Sequence, residues 1–126
     1  MAKYVDGFVL VVPKDKEDEY KKMAEEGRDA WMRHGAREYF ECRGDDLTPQ
    51  EMGEERLRTF TEMTGAGSDE NVWFSFIVFD SKRHRDEVNK KVMEEMDEKY
   101  KDQSDFVMPV EMGKTSYGGF EVAVEG

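Results

Sequence analysis

The sequence predicts an α+β domain in which a four-stranded antiparallel sheet carries two helices on one face. Three observations predict it. Apolar runs with strand character alternate with two stretches of helical periodicity, in the order strand, helix, strand, insertion, strand, helix, strand. The first and third apolar runs are the richest in β-branched and aromatic residues, as expected of the two central strands. The 126 residues suit one domain spanning 1–126, and 8 Phe, 5 Tyr and 2 Trp argue for a packed core although 39% of residues are charged.

The first strand is read from Tyr4 to Val12, and Pro13 stops it. Asp15 is the expected N-cap of the helix that follows. From Lys16 the positions Tyr20, Met23, Ala24, Gly27, Ala30, Trp31 and His34 fall on one helical face. Glu17, Asp18 and Glu19 sit in the first turn, where the helix dipole favours acids, and Gly35 supplies the stop. Arg37 to Arg43 reads as a second, more polar strand.

Residues 44–71 form the least regular part, an insertion. Thr48-Pro49-Gln50-Glu51 has the form of a capping box and predicts a short helix there. Leu57 to Met63 reads as a short strand or irregular chain, and Gly65-Ala66-Gly67-Ser68 as a turn. Val72 to Phe79 is the clearest strand. Ser81 caps a second helix along Val88, Val92, Met93 and Met96, with Asp97 to Ser104 expected as loop. Thr115 to Val124 closes the sheet.

That order is the ferredoxin-like βαββαβ arrangement, whose right-handed crossovers put both helices on one face. The central strands, however, are apolar on both faces. Phe8, Leu10 and Val12 alternate with Val5, Val9 and Val11, and Trp73, Ile77 and Phe79 alternate with Val72, Phe74, Phe76 and Val78. Two helices cover one face only, and soluble monomers rarely leave a large apolar patch bare. The expected cover is a second copy of the chain, giving a homodimer packed sheet to sheet.

Several motifs, taken in order, resemble a known family. They are Tyr4-Val5-Asp6-Gly7-Phe8-Val9, Gly35-Ala36 with Glu41-Cys42, Phe74-Ser75-Phe76-Ile77 before Ser81-Lys82, Arg85-Asp86 with Asn89, Met108-Pro109, and Tyr117-Gly118-Gly119-Phe120. Together they resemble the YbaA-like family of bacterial domains of unknown function, within the dimeric α/β-barrel superfamily. The resemblance implies the ferredoxin-like fold and the sheet-to-sheet dimer. It implies no activity, because fold does not carry function among the branches of that superfamily.

Composition excludes several function classes. The net charge of −11, from 30 acids against 19 bases, repels nucleic acid and anionic membranes, and no basic patch offsets it. The acidity fits either an ordinary solvated surface or adaptation to high internal salt. A single cysteine, Cys42, excludes an intramolecular disulfide and a multi-thiolate zinc site within one chain. No signal peptide or membrane span is apparent, so a cytoplasmic location is expected. Gly118-Gly119 is no phosphate loop, and no cofactor motif is present.

The candidate site residues are few. Asp6 interrupts an apolar strand and is the first acid–base candidate, weighed against a place at the sheet rim. His34, at the end of the first helix, is the second, although the helix dipole alone favours a histidine there. His84 reads as a capping or surface residue, and with Glu38 and Glu41 the two histidines make no metal motif. Cys42 reads as a small buried side chain. Ser75 and Tyr117 are candidates to line a ligand pocket, and Asn89 with Arg85 to tie the second helix to a loop. The expected function is a homodimeric domain that binds a small organic molecule. The alternatives are a cofactor-independent monooxygenase- or isomerase-like enzyme using an acid–base residue in the cleft, and a purely structural dimer.

Overall fold

The computed structural model describes residues 2–48, 51–103 and 106–126, with the backbone alone at 51 and 52. Strands β1 (Tyr4–Pro13), β2 (Glu38–Arg43), β5 (Glu70–Phe79) and β6 (Ser116–Glu121) form one antiparallel sheet in the order β2-β5-β1-β6. The two most apolar strands are therefore central. Their register runs from Tyr4 opposite Phe79 to Pro13 opposite Glu70. Helices α1 (Glu17–Arg33) and α3 (Lys82–Tyr100) pack on one face. On that face Leu10, Val12 and Trp73 meet Tyr20 and Ala24 of α1, while Ile77 and Phe79 meet Val88 and Val92 of α3.

The boundaries of the two long helices depart from the sequence reading in two places. Asp15 is not a cap: Lys14–Lys16 forms a single 3-10 turn, and α1 begins after Lys16 without a side-chain cap. The first-turn acids serve instead, and Glu17 also accepts the indole N–H of Trp73 at 2.9 Å. Asp97 to Tyr100, expected as loop, continues α3, held to α1 by the Tyr100 hydroxyl on Glu26 and by Lys99 at 3.6 Å from the same carboxylate. At the other end of α3, Ser81 caps as expected, accepting from the His84 N–H at 3.1 Å. Gly35 ends α1 with φ +113°, a conformation that glycine adopts without strain.

The insertion is more regular than its sequence suggests. Strands β3 (Glu51–Met52) and β4 (Glu55–Arg56) pair across a turn containing Gly53, and a third helix, α2, spans Phe60–Thr64. Of the helix expected at Thr48 to Glu51, Pro49 and Gln50 lie outside the described residues, and Glu51 is strand. The working capping box is Thr59 with Glu62, in the stretch read as strand or irregular. The Glu62 N–H meets the Thr59 hydroxyl at 3.0 Å, and the Glu62 carboxylate accepts the Thr59 N–H at 3.3 Å.

One buried carboxylate ties the helices to the sheet. Asp6 points to the helix face of β1 and is 1% exposed. Its two oxygens accept from Arg85 Nη1 at 2.6 Å and Asn89 Nδ2 at 3.1 Å, both on α3. Asn89 in turn accepts the indole N–H of Trp31 on α1 at 2.9 Å. The Arg85 guanidinium lies 4.7 Å from the Tyr4 ring centroid and also donates to the Tyr117 hydroxyl at 3.1 Å. Arg85 and Asn89 therefore tie α3 to the first strand rather than to a loop, and Asp6 lies beneath α3 rather than at the sheet rim.

The opposite sheet face is largely bare. Helix α2 packs against β1 and β5 at one end, where Val11 and Val72 are buried. Beyond it Phe40, Phe74 and Phe120 are 47%, 45% and 61% exposed, a contiguous aromatic surface across β2, β5, β1 and β6. Phe40 stacks on Phe76 at 5.0 Å between centroids. The paired Gly7 and Gly118 leave the space in which the Phe120 ring lies, 3.3 Å from where a Gly7 Cβ would sit.

Removing one partner of a buried ion pair leaves the other charge uncompensated, at a cost of about 3–5 kcal/mol. Asp6→Ala is expected to lower unfolding stability by that order in urea titrations, and Asp6→Asn, which leaves Arg85 only the exposed Asp86 at 2.8 Å as its anion, to lose part of the same amount.

Candidate functional site

Where α1 and α3 diverge above the sheet they leave a cavity of about 300 Å³. Its walls are mostly apolar: Phe8, Leu10 and Ile77 from the sheet, Met23 and Trp31 from α1, Met96 from α3. Gly27 on α1 contributes no side chain, and a Cβ there would come within 3.0 Å of the Tyr39 hydroxyl. Small residues at Ala24, Gly27 and Ala30 keep the α1 face thin where it approaches the sheet.

The polar groups converge on Glu41. Tyr20 on α1 donates to one carboxylate oxygen at 2.7 Å, and Tyr39, two residues before Glu41 on the same strand face, donates to the other at 2.6 Å. Burial, reinforced by the Glu41 charge, pushes both phenols well above their ordinary value of 10.0. They therefore stay protonated as donors. Ser75, 3% exposed, is the cross-strand partner of Glu41 and lines the same cavity. Glu41 makes no ion pair within 4.0 Å among the described residues. The arrangement is a carboxylate held by two neutral phenols, with lone pairs left over, at the polar end of an apolar chamber.

The structure brings one of the candidate residues into this cavity and places the others elsewhere. Ser75 lines it. Asn89 stands behind the wall, orienting Trp31, and Asp6 stands behind Asn89. His34 lies at the end of α1, its Nε2 3.0 Å from Glu95, away from the cavity. His84 accepts the Asp80 N–H at its Nδ1 and sits at the start of α3. Tyr117 packs on Phe8 at 4.8 Å between centroids and is 55% exposed on edge strand β6. Cys42, expected to be buried, is exposed: it alternates onto the face of edge strand β2 opposite α1 and α3. Among the described residues no group of three or more His, Cys, Asp or Glu side chains could hold a metal ion. No described helix is long and apolar enough to cross a membrane.

Residues 3–112 match the family described as "Protein of unknown function (DUF1428)". The chain belongs to that family. It is 35% identical over 123 residues to the "Uncharacterized protein YbaA" of Escherichia coli strain K12, covering 98% of both chains. The protein of the same name from Shigella flexneri matches equally, at 35% over 123 residues and 98% of each chain. The likeness read from the ordered motifs is thus a family relationship along nearly the whole chain. Among solved structures, the "De novo designed protein Foldit4" overlays with a TM-score of 0.40 at 10% identity, over 98% of this chain and 99% of that one, too loosely to carry an argument.

The phenol–carboxylate cluster has a pH signature. Below about pH 10 both phenols are protonated in the folded and unfolded chain alike. Above it the unfolded chain releases protons that the folded chain retains, so stability falls as pH rises. Urea midpoints of the wild type are expected to drop more steeply between pH 9 and pH 11 than those of a Tyr20→Phe/Tyr39→Phe variant (a range about one unit either side of the ordinary phenol value).

Proposed function

We propose that the protein is a homodimeric domain that binds a small organic molecule in the cavity between its sheet and its helices. The observation that carries this reading is the cavity itself, about 300 Å³ of mostly apolar space with polar groups converging on one carboxylate. That combination is the usual form of a small-molecule site. Asp6 and His34, the acid–base candidates, lie outside its lining, and Asp6 is committed to Arg85 and Asn89. This favours binding over proton transfer by those residues. No cofactor is part of the proposal, and the cytoplasm is the compartment that it assumes.

The dimer is proposed from the bare sheet face. A sheet of order β2-β5-β1-β6 with α1 and α3 on one side fits a ferredoxin-like βαββαβ domain, and the dimeric α/β barrel is that domain paired through its free face. The face supports a second copy as its cover. Its exposed phenylalanines surround a groove of about 630 Å³ lined by Val5, Val9, Phe74, Phe76 and Phe120. Within β1, β5 and β6 the positions facing the groove carry no charge. An apolar patch centred on these three strands suits an isologous two-fold contact.

A native mass spectrum of the purified protein tests both parts. The expected species is a dimer carrying an extra small mass that denaturation releases, and Phe74→Glu is expected to give monomer. A wild-type monomer at micromolar concentration contradicts the assembly. A bare dimer that takes up nothing from a small-molecule cell extract contradicts the binding.

A further inference from the structure

The charged side chains in the described lining of the cavity are of one sign. Its described lining includes two carboxylates, Glu26 and Glu41, and no lysine, arginine or histidine. The two acids are not equivalent. Glu26 is already engaged by the Tyr100 hydroxyl and by Lys99 at 3.6 Å. Glu41 has, among the described residues, the two phenols as its hydrogen-bond donors. Three further basic groups, Lys21, Arg28 and Arg43, line a neighbouring groove that shares Tyr39 and Glu41 with the cavity, and none forms an ion pair with Glu41.

A half-buried carboxylate whose hydrogen-bond donors are both neutral leaves negative potential in a low-dielectric chamber. An anionic ligand is repelled there, and a neutral one leaves the charge uncompensated. Aromatic side chains complete the lining: Trp31 and Tyr39, 6.1 Å apart between centroids, together with Tyr20 and Tyr100, are of the kind whose ring faces attract organic cations.

We infer that the ligand of this cavity is a small organic cation, an ammonium group on a compact apolar body, with the ammonium seated against Glu41 between Tyr20 and Tyr39. The inference rests on the cavity being a binding site and adds the chemical class of what it binds. The ammonium donates to the lone pairs of Glu41 that the phenols leave free. The apolar body lies along Phe8, Ile77, Met23 and Met96.

A matched series tests it on the intact wild-type protein: 2-phenylethylamine, 2-phenylethanol and phenylacetate, compared by isothermal titration calorimetry at neutral pH. The three probes share one apolar body and differ in the charge of the polar end. The amine is expected to bind at least about tenfold more tightly than the alcohol, the margin expected of a hydrogen bond to a charged group. Phenylacetate is expected to bind most weakly. The preference is expected to persist at high salt, where attraction to the acidic surface is screened, and to collapse in Glu41→Gln. An alcohol or carboxylate that binds as tightly as the amine overturns the cation inference and leaves the cavity reading standing. Amine selectivity that survives Glu41→Gln overturns the assignment to that residue. Failure of all three probes at millimolar concentration overturns the inference and the binding reading together. Should the variant not fold, the comparison among probes on the wild type still decides the charge preference.

Discussion

The carboxylate of Asp6 lies almost solvent-free on an apolar sheet face, where an isolated charge is untenable. It has to be neutralised and hydrogen-bonded in place, and both partners come from α3. Arg85 supplies the opposite charge and Asn89 the second donor, one helical turn further along the same face. Asn89 then fixes Trp31 on α1. One buried charge thereby sets the position of α3 on the sheet and of α1 beside α3, and the space left between those helices is the cavity. The polar residue that interrupts β1 positions the site without lining it.

The two sheet faces follow from the same alternation. Residues that share the Asp6 face, Phe8, Leu10 and Val12, build the core and the cavity floor. On the other face α2 packs where Val11 and Val72 are buried, and Phe40, Phe74 and Phe120 are left exposed. Burying only one of two apolar faces leaves hydrophobic area whose removal from water is worth roughly 25 cal/mol per Å². The proposed dimer uses that area. It also gives exposed Cys42 a place within or beside the interface, since Cys42 lies opposite Phe74 in the β2–β5 register.

Local and period-two information was legible in the sequence, and long-range pairing was not. The two central strands, the stop at Gly35, the Ser81 cap and the two-faced apolar pattern need only neighbours along the chain. Thr59-x-x-Glu62 was legible too, but Thr48-Pro49-Gln50-Glu51 offers the same signal, and only tertiary packing of α2 on β1 and β5 distinguishes them. Glu41 stands in no metal-binding pattern, and its immediate neighbours in the sequence do not mark it as part of a cavity. One phenol donor, Tyr39, sits two residues away and was readable as a same-face neighbour. The other, Tyr20, reaches it from the preceding helix. Asp6 was recognised as unusual, yet Arg85 lies 79 residues along the chain. Cys42 misled because a strand residue followed by arginine gives no hint of which face is bare.

The most direct test of the cavity as the binding site locates the ligand rather than weighing it. Methionine methyl groups report on it: Met23, Met96 and the partly exposed Met108 line the cavity, whereas Met32, Met63 and Met112 lie outside its lining. Methyl NMR of methionine-labelled protein, titrated with 2-phenylethylamine, separates the two groups. Saturable shifts at Met23, Met96 and Met108, with the other three unmoved, are the predicted result. Saturable shifts confined to Met32, Met63 or Met112, or no shift at any of the six, would contradict it.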